Sequence, residues 1–320
     1  MIDIVVVDWK NICKICSYSI LSGSVACCYS TEPDEIAHRI VKRMFCIRAD
    51  NPDANLIIAS DKAPYWRHKF INKWYNDRGL EPIGYKSNRS SMSWPFASSK
   101  ETLDDLYAHI LNQVCNCLDA ICIQDVGLEA DDVWGIIASS EKEKTVQGIT
   151  SDSDWQQLCG NNITVLNPVT NEIIIEPADI RAKCIAGDRG DNVLGCNKKR
   201  KDGSPGATMW GIDGAKKLIA THTESEWSRL VDWDTYTRNY DLIKLPCPLW
   251  NLEEAVYELG SIIKNPINLT YEESTKILDT FGVTEPVRKL LSDKAERSIW
   301  ISKLRAYLQE KNAKKAEKSE

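Results

Sequence analysis

Four apolar runs rich in β-branched residues recur along the first half of the chain, each separated from the next by a helical pattern. They are "IDIVVV" (2–7), "ANLIIAS" (54–60), "AICIQDV" (120–126) and "TVQGIT" (145–150). A run of this kind without polar alternation suits a strand buried on both faces. Between the runs, "PDEIAHRIVKRMFCI" has helical period with Pro33 in its first turn. "ETLDDLYAHILNQVCNCL" places Leu103, Leu106, Tyr107, Ile110, Leu111, Val114 and Leu118 on one helical face. "EADDVWGIIASS" is a third helix. Strand alternating with helix predicts an α/β fold built on a mostly parallel central sheet. "NITVL" and "NEIII" are expected to pair as a hairpin across "NPVTN". Beyond about residue 178 strands all but vanish and helical patterns run on. The expected organisation is an α/β core over 1–177, a helical region over 178–311 and a charged, disordered tail over 312–320.

Composition sets limits on this reading. The chain has 320 residues, of which 43% are hydrophobic, enough for one large core with a smaller helical partner. No apolar run reaches the roughly 18 residues that a membrane helix needs. The N-terminus "MIDIVVVDWK" lacks the basic stretch of a signal peptide. A cytoplasmic, monomeric protein without a membrane partner is expected. The 12 cysteines are scattered, and Cys13 and Cys16 form a lone C-x-x-C without a second pair at zinc spacing. Reduced, mostly buried thiols are the expectation.

Carboxylates punctuate the strand ends. Asp8 follows the first run, Asp61 the second, and Asp152 and Asp154 the fourth, while Glu129, Asp131 and Asp132 open the helix after the third. In an open parallel sheet the carboxyl ends of the strands share one edge, where sites form. Asp188 and Asp191, in the Gly-bounded "AGDRGDN", could complete the group from the helical region. Any one of these acids alone is more often a helix cap or turn residue. Nine together would repel one another, raising pKa values and opposing folding. Divalent cations relieve that conflict, and oxygen ligands without His or Cys partners point to two or more magnesium ions, with manganese able to substitute. With a formal net charge of −6 overall, the chain outside these nine acids is mildly basic.

A metal-loaded acidic cleft on a basic body suits phosphodiester chemistry. Two ions about 3.5–4 Å apart can activate a water and stabilise the leaving oxygen. "YWRHKFINKWYNDRG" (65–79) interleaves Arg67, Lys69, Lys73 and Arg78 with Tyr65, Trp66, Trp74 and Tyr75, offering stacking surfaces beside cations. "GYKSNRSS" adds Lys86 and Arg89. The loop "NKKRKDGSPG", with Lys198, Lys199, Arg200 and Lys201, leads into "MWGIDGAKKLIA". There Gly211 and Gly214 open a helix whose N–H groups could receive a phosphate, followed by Lys216 and Lys217. The plainer alternatives are a solvated helix face and two flexible loops.

At these residues the chain resembles the 5′ nuclease, or flap endonuclease, family, most closely its T-even phage ribonuclease H branch. "VVVDWKN", "SDKAPYWRHKF", "EADDVWGIIA", "TSDSDWQQL" and "AGDRGDNVLG" match family blocks in the same order. The resemblance implies that Asp8, Asp61, Glu129, Asp131, Asp132, Asp152, Asp154, Asp188 and Asp191 bind magnesium. It also implies a helical arch, here over 62–118, that receives a 5′ single strand, and a helix-hairpin-helix-like turn at "GIDGAKKL" that grips duplex. The family arch carries a lysine in a "YK-x-x-R" block. Here "WYNDR" puts Tyr75 at that position, and "YKSNR" follows ten residues later, so either the arch has an insertion or Lys86 takes the role from a shifted segment. Arg67, six residues past Asp61, is expected to reach the scissile phosphate. No sliding-clamp motif shows in the tail.

The function implied is a 5′→3′ exonuclease and flap endonuclease with ribonuclease H activity. It would act on branched or nicked duplex DNA and RNA–DNA hybrid during phage replication in the host cytoplasm, with a single-strand-binding protein or a sliding clamp as partner. Two other enzyme classes fit poorly: an aspartyl phosphatase wants D-x-D where this chain has "DWK", and no G-x-G-x-x-G follows the first strand. The rivals that remain are a non-catalytic DNA-structure-binding protein on the same fold and a PIN-type endoribonuclease.

Overall fold

The structure, a computed structural model, describes residues 1–20, 27–29, 33–87, 100–118, 120–124, 127–199 and 205–263. Its frame is a six-stranded sheet. In chain order the elements are β1 (Ile4–Asp8), α1 (Trp9–Ser17), β2 (Tyr18–Ile20), β3 (Cys27–Tyr29), α2 (Pro33–Asp50), β4 (Asn55–Ala59), α3 (Trp66–Asn76), α4 (Lys100–Leu118), β5 (Ile121–Ile123), α5 (Ala130–Ser140) and β6 (Val146–Ile149). A 3-10 turn (Ser153–Leu158) leads to β7 (Ile163–Leu166) and β8 (Ile173–Ile174). The sheet order is β5-β4-β1-β6-β7-β8, parallel throughout except that β8 runs against β7 in the expected hairpin.

The β-branched run of β1 is central and fully buried, as its composition predicts. Side chains alternate across a strand. Val5 and Val7 accordingly face a core built with α1, α2 and α4, where Ile12, Ile40, Phe45 and Val114 pack. Ile4 and Val6 face the opposite core with α5. There Trp134 and Trp155 stack with ring centroids 4.9 Å apart and planes 6° from parallel. Gly148 on β6 makes room for the pair, since a Cβ would lie 2.7 Å from Trp155.

The C-terminal half departs from the purely helical expectation. It contains α6 (Arg181–Ala186), β9 (Gly187–Asp188), β10 (Val193–Leu194), β11 (Asn197–Lys199), β12 (Pro205–Met209), α7 (Ile212–Thr221), α8 (Glu224–Trp227), α9 (Trp233–Ile243) and α10 (Leu252–Ile263). Two antiparallel hairpins, β9–β10 and β11–β12, stand among the helices. Their strands are too short for periodicity to reveal, apart from β12, whose "PGATM" is not an apolar run.

Helix α3 also changes place. It was expected within an arch, but Ile71, Tyr75 and Tyr85 are buried in a third core with Cys184, Leu218, Trp227 and Leu242 of the C-terminal helices. Tyr75 accepts a hydrogen bond from Arg238 at 3.2 Å. α4, at the far end of the expected arch, packs on the sheet core instead. The segment 88–99 lies outside the described residues, as do 264–320 with the expected tail. Cys13, Cys16, Cys115, Cys159, Cys184, Cys196 and Cys247 are buried and unbridged. Among the described residues no helix is long and apolar enough to cross a membrane.

Candidate functional site

Three strands deliver acids to the carboxyl edge. Asp8 ends β1 and is buried, with Oδ1 accepting the Asn11 N–H at 3.1 Å and Oδ2 accepting the Thr150 hydroxyl at 2.9 Å. Asp61, two residues beyond β4, accepts the N–H of Ala130 at 2.8 Å and so ties that strand to the start of α5. Asp152 follows β6 and accepts the N–H of Asp154 at 2.9 Å, starting the 3-10 turn. Asp131 turns toward that segment, where Trp155 Nε1 donates to its Oδ1 at 2.7 Å.

Crowding shows in their protonation. Burial pushes Asp8 up to about 7, with Asp61 and Asp152 adding to the rise and the Asn11 and Thr150 hydrogen bonds opposing it. Burial likewise raises Asp131 well above the ordinary carboxylate range, assisted by Asp152 and Glu129. Asp154 is raised by burial against the opposing charge of Lys183. Burial is the larger cause in each case, and repulsion between neighbouring carboxylates adds to it.

Glu129 and Asp132 are placed differently. They occupy the N-cap and third positions of α5, a spacing that turns both toward α3. Arg67 enters between them: Nη1 is 2.6 Å from Glu129 Oε2, and Nη1 and Nη2 reach the two oxygens of Asp132 at 3.0 and 2.8 Å. Its Nε donates to the Leu242 carbonyl at 3.0 Å. Asp132 Oδ2 also accepts the Glu129 N–H at 2.9 Å and Trp66 Nε1 at 3.2 Å. All three ionic groups are buried. Burial disfavours the Arg67 charge, but Asp132 and Glu129 outweigh it and hold its pKa well above the ordinary value. The expectation that Asp132 ligates metal and that Arg67 meets the scissile phosphate is therefore revised: each saturates the other. Acidic residues at a helix start signal either role, and only the arginine arriving from α3 distinguishes them.

The hairpin β9–β10 brings Asp188 and Asp191. Gly187 has φ +76, and a Cβ there would lie 2.3 Å from the Val193 carbonyl oxygen, so the turn requires glycine. Asp188 Oδ1 accepts the N–H groups of Gly190 and Asp191 at 2.8 and 3.3 Å. Two lysines join this hairpin to the core. Lys183 Nζ lies 2.6 Å from Asp154 and 2.7 Å from Asp188. Lys86 Nζ pairs with Glu129 and stands 3.7 Å from Asp191. The Tyr85 hydroxyl donates to Asp191 Oδ2 at 2.7 Å and lies 3.1 Å from Glu129 Oε2. The backbone N–H of Lys86 donates to the Asp191 carbonyl at 2.7 Å.

The sequence left Lys183, Tyr85 and Trp155 unread. Lys183 sits inside the apolar stretch "RAKCIAG", where a lone lysine that must face inward was the available signal.

Asp131, Asp154, Asp188 and Asp191 line one small cleft with Arg67 and Tyr85. Among the described residues no three His, Cys, Asp or Glu side chains already stand as a ligand set for one metal ion. The donors are nonetheless all carboxylate oxygens whose burial and mutual repulsion favour a bound cation, and that chemistry fits a hard divalent ion.

The candidate nucleic-acid residues are dispersed. Lys69, Lys73 and Arg78 are exposed on and just after α3, with Lys73 paired to Asp77 at 2.7 Å and Arg78 lying 4.0 Å over the Trp74 ring. Trp66 and Tyr75, expected as stacking surfaces, are used in packing: Trp66 meets Trp250 edge-on, and Tyr75 is buried. Lys198 on β11 lies 5.1 Å over the Trp210 ring, and Lys199 follows it in the same strand. Gly211 is the N-cap of α7, Gly214 lies in its first turn, and Lys216 and Lys217 are exposed along it. Arg89, Arg200 and Lys201 lie outside the described residues.

The family described as 5′-3′ exonuclease, N-terminal resolvase-like domain, matches residues 30–185. Over that stretch the chain is similar to the 5′ nuclease family. Among its relatives, the thermostable DNA polymerase I of Thermus aquaticus is 25% identical over 216 residues, covering 67% of this chain and 22% of the polymerase. A 5′-3′ exonuclease of Aquifex aeolicus (strain VF5) is 23% identical over 188 residues, covering 54% of this chain and 64% of that protein. The chain thus spans less than two thirds of the length of either relative. In three dimensions it is similar to the bacteriophage T5 D15 flap endonuclease in a pseudo-enzyme-product complex with DNA and metal ions. The TM-score is 0.56 at 16% identity, over 82% of this chain and 100% of that one. The T5 D15 protein co-crystallized with metal ions superposes with a TM-score of 0.54 at 16% identity, over 87% and 98% of the two chains. At that identity the likeness is one of fold, a mostly parallel sheet shared by the two chains.

Proposed function

We propose that this chain is a divalent-metal-dependent 5′→3′ nuclease that removes RNA or DNA from 5′ ends at nicks, gaps and flaps, with ribonuclease H activity in replication. The observation that carries the reading is the gathering of Asp8, Asp131, Asp152 and Asp154 at one sheet edge, facing Asp188 and Asp191 of the β9–β10 hairpin. A protein that only binds nucleic acid has no use for buried carboxylates that repel phosphate. The solved T5 relatives, crystallised with metal ions and in one case DNA, support the same reading.

Asp8, Asp61, Asp131, Asp152, Asp154, Asp188 and Asp191 are the residues that would hold the ions, and magnesium is the hard cation proposed, with manganese as a substitute. Bound there, such ions supply an activated water and neutralise charge on the leaving oxygen. Asn11, Thr150 and Trp155 orient the carboxylates by donating to them. Lys86 is the cation we assign to the phosphate, because the 84–87 segment lays it at the cleft on Glu129 and Asp191. Glu129 and Asp132 serve by fixing Arg67 and the start of α5. Lys198, Lys199, Lys216 and Lys217 would grip the duplex beyond the cut.

The deciding experiment is product sizing on a 5′-labelled flap, a nicked duplex and an RNA–DNA hybrid, with magnesium and with chelator. Short 5′ products that require the metal are expected. Binding without cleavage of any of the three would overturn the reading.

A further inference from the structure

Lys183 lies in the last turn of α6, and its Nζ stands 2.6 and 2.7 Å from the two carboxylate oxygens of Asp154 and 2.7 Å from Oδ2 of Asp188. The two acids come from separate parts of the fold, one from the turn after β6 and the other from β9. An ammonium group has three donors and no acceptor, so its hydrogen-bonding capacity matches these three oxygens. The three side chains are 20–26% exposed, which shields the contact in part from water. Charge-assisted bonds of this length are the strong ones.

A divalent ion seeks the same oxygens. It cannot lie against Asp154 and Asp188 together while an ammonium group holds both at hydrogen-bond distance. Asp8, Asp131 and Asp152, by contrast, are held by Asn11, Thr150, Trp155 and a backbone N–H, which orient a carboxylate without filling its outer face with charge. The acidic edge is therefore asymmetric.

We propose that Lys183 is a built-in competitor for the divalent cation at Asp154 and Asp188, holding those carboxylates together when the cation is absent and giving them up when it binds. The inference rests on the metal-dependent reading above and adds an inequality to it. Cations on the Asp8, Asp131 and Asp152 side bind without displacing a side chain, whereas the Asp154 and Asp188 side must first release Lys183. Lys183 is thus a positioning residue that sets the cation affinity of one side of the cleft. A lysine serving only to tie the hairpin to the core makes the opposite forecast, because cutting a tie loosens the carboxylates and weakens cation binding.

The test is manganese binding to the full chain, monitored by calorimetry and by the electron paramagnetic resonance signal of free manganese. Lys183→Met removes charge and donors, Lys183→Gln keeps donors without charge, and Lys183→Arg keeps the charge. One manganese site should tighten by about ten- to hundredfold in Lys183→Met and Lys183→Gln, the size set by one or two charge-assisted bonds no longer to be broken. Lys183→Arg should bind like the wild type. Equal or weaker binding in both neutral variants, while the wild type binds manganese, would overturn the competitor role and leave the metal-dependent reading standing. Absence of manganese binding in the wild type and all variants would remove both. Far-ultraviolet circular dichroism of each variant separates folding from affinity, and Lys183→Gln serves if Lys183→Met does not fold.

Discussion

Arg67 holds Asp132 at both carboxylate oxygens, with Nη1 3.0 Å from Oδ2 and Nη2 2.8 Å from Oδ1, and both side chains are shut away from water. The pair joins α3 to α5 at the wall of the acidic cleft. Removing one partner leaves an uncompensated buried charge, which costs about 3–5 kcal/mol. Arg67→Ala should therefore lower the free energy of unfolding by that amount, and Asp132→Asn by less, because the amide keeps some of the hydrogen bonds. Equilibrium unfolding in urea checks this. An unaltered midpoint with a selective loss of cleavage would return Arg67 to the phosphate.

Lys86 should show the reverse pattern. Its side chain is 11% exposed and pairs with Glu129 and, at 3.7 Å, with Asp191 of the cleft wall. Lys86→Ala is expected to lower the single-turnover rate by about a hundredfold, the order seen for losing one transition-state donor. Its unfolding midpoint should move less than that of Arg67→Ala. Single-turnover rates and urea curves on both variants settle the ranking, and a faster Lys86→Ala than Arg67→Ala at equal folded fraction would reverse it.

Stability in chelator should fall as pH rises. Asp8 has a folded value of about 7 against 3.8 as its ordinary value. Between those limits the folded state keeps a proton that the unfolded chain has released, so each pH unit of increase removes up to about 1.4 kcal/mol. Asp131 and Asp154, also raised, act in the same direction. Millimolar magnesium should remove this slope, since bound cations stabilise the ionised carboxylates. Urea midpoints measured from pH 4.5 to pH 7 with chelator and with magnesium provide the check; a stability rising with pH in chelator would be incompatible with a crowded acidic edge.

Duplex affinity should lose salt dependence when Lys198, Lys216 and Lys217 are changed together to Gln. Each lost phosphate contact reduces the log–log slope by roughly 0.9 on B-form duplex. The rate at saturating enzyme should hold. A slope identical to the wild type would clear α7 and β11 of any part in duplex binding.

Gly148→Ala tests the packing behind the site. Its Cβ would lie 2.7 Å from Trp155 Cε3 and 3.1 Å from Trp134. Overpacking of this kind costs typically about 1–3 kcal/mol. Trp155 also holds Asp131, so tryptophan fluorescence and thermal melting should both change. A melting temperature equal to the wild type would show that the ring stack gives way freely.

The strands at Ile4–Asp8, Asn55–Ala59 and Val146–Ile149 were legible because a strand buried on both faces must be apolar at every position. Their acids were legible for a related reason: the edge of such a sheet is where polarity resumes. The strands β9 to β12 were not, since two or three residues carry no period and the five of β12, "PGATM", are not an apolar run. Nor could the sequence divide the acids of "EADD" by role. Asp131 faces the cleft while Glu129 and Asp132 face Arg67, a difference of helical phase that matters only once α3 is in place. For α3 itself, interleaved cations and aromatics suggested a surface. The positions of Ile71 and Tyr75 against Trp227 and Leu242, far along the chain, decided otherwise.

The bond from Arg67 Nε to the carbonyl of Leu242 spans 175 positions of sequence. Contacts of such range form late, after the intervening chain has been closed into place. A nascent chain emerging from the ribosome can complete the sheet and still lack the anchor that sets α3 against α5. The placing of α3 against the acidic edge is thereby tied to α9, so a chain cut short before Leu242 should keep the sheet and lose that alignment.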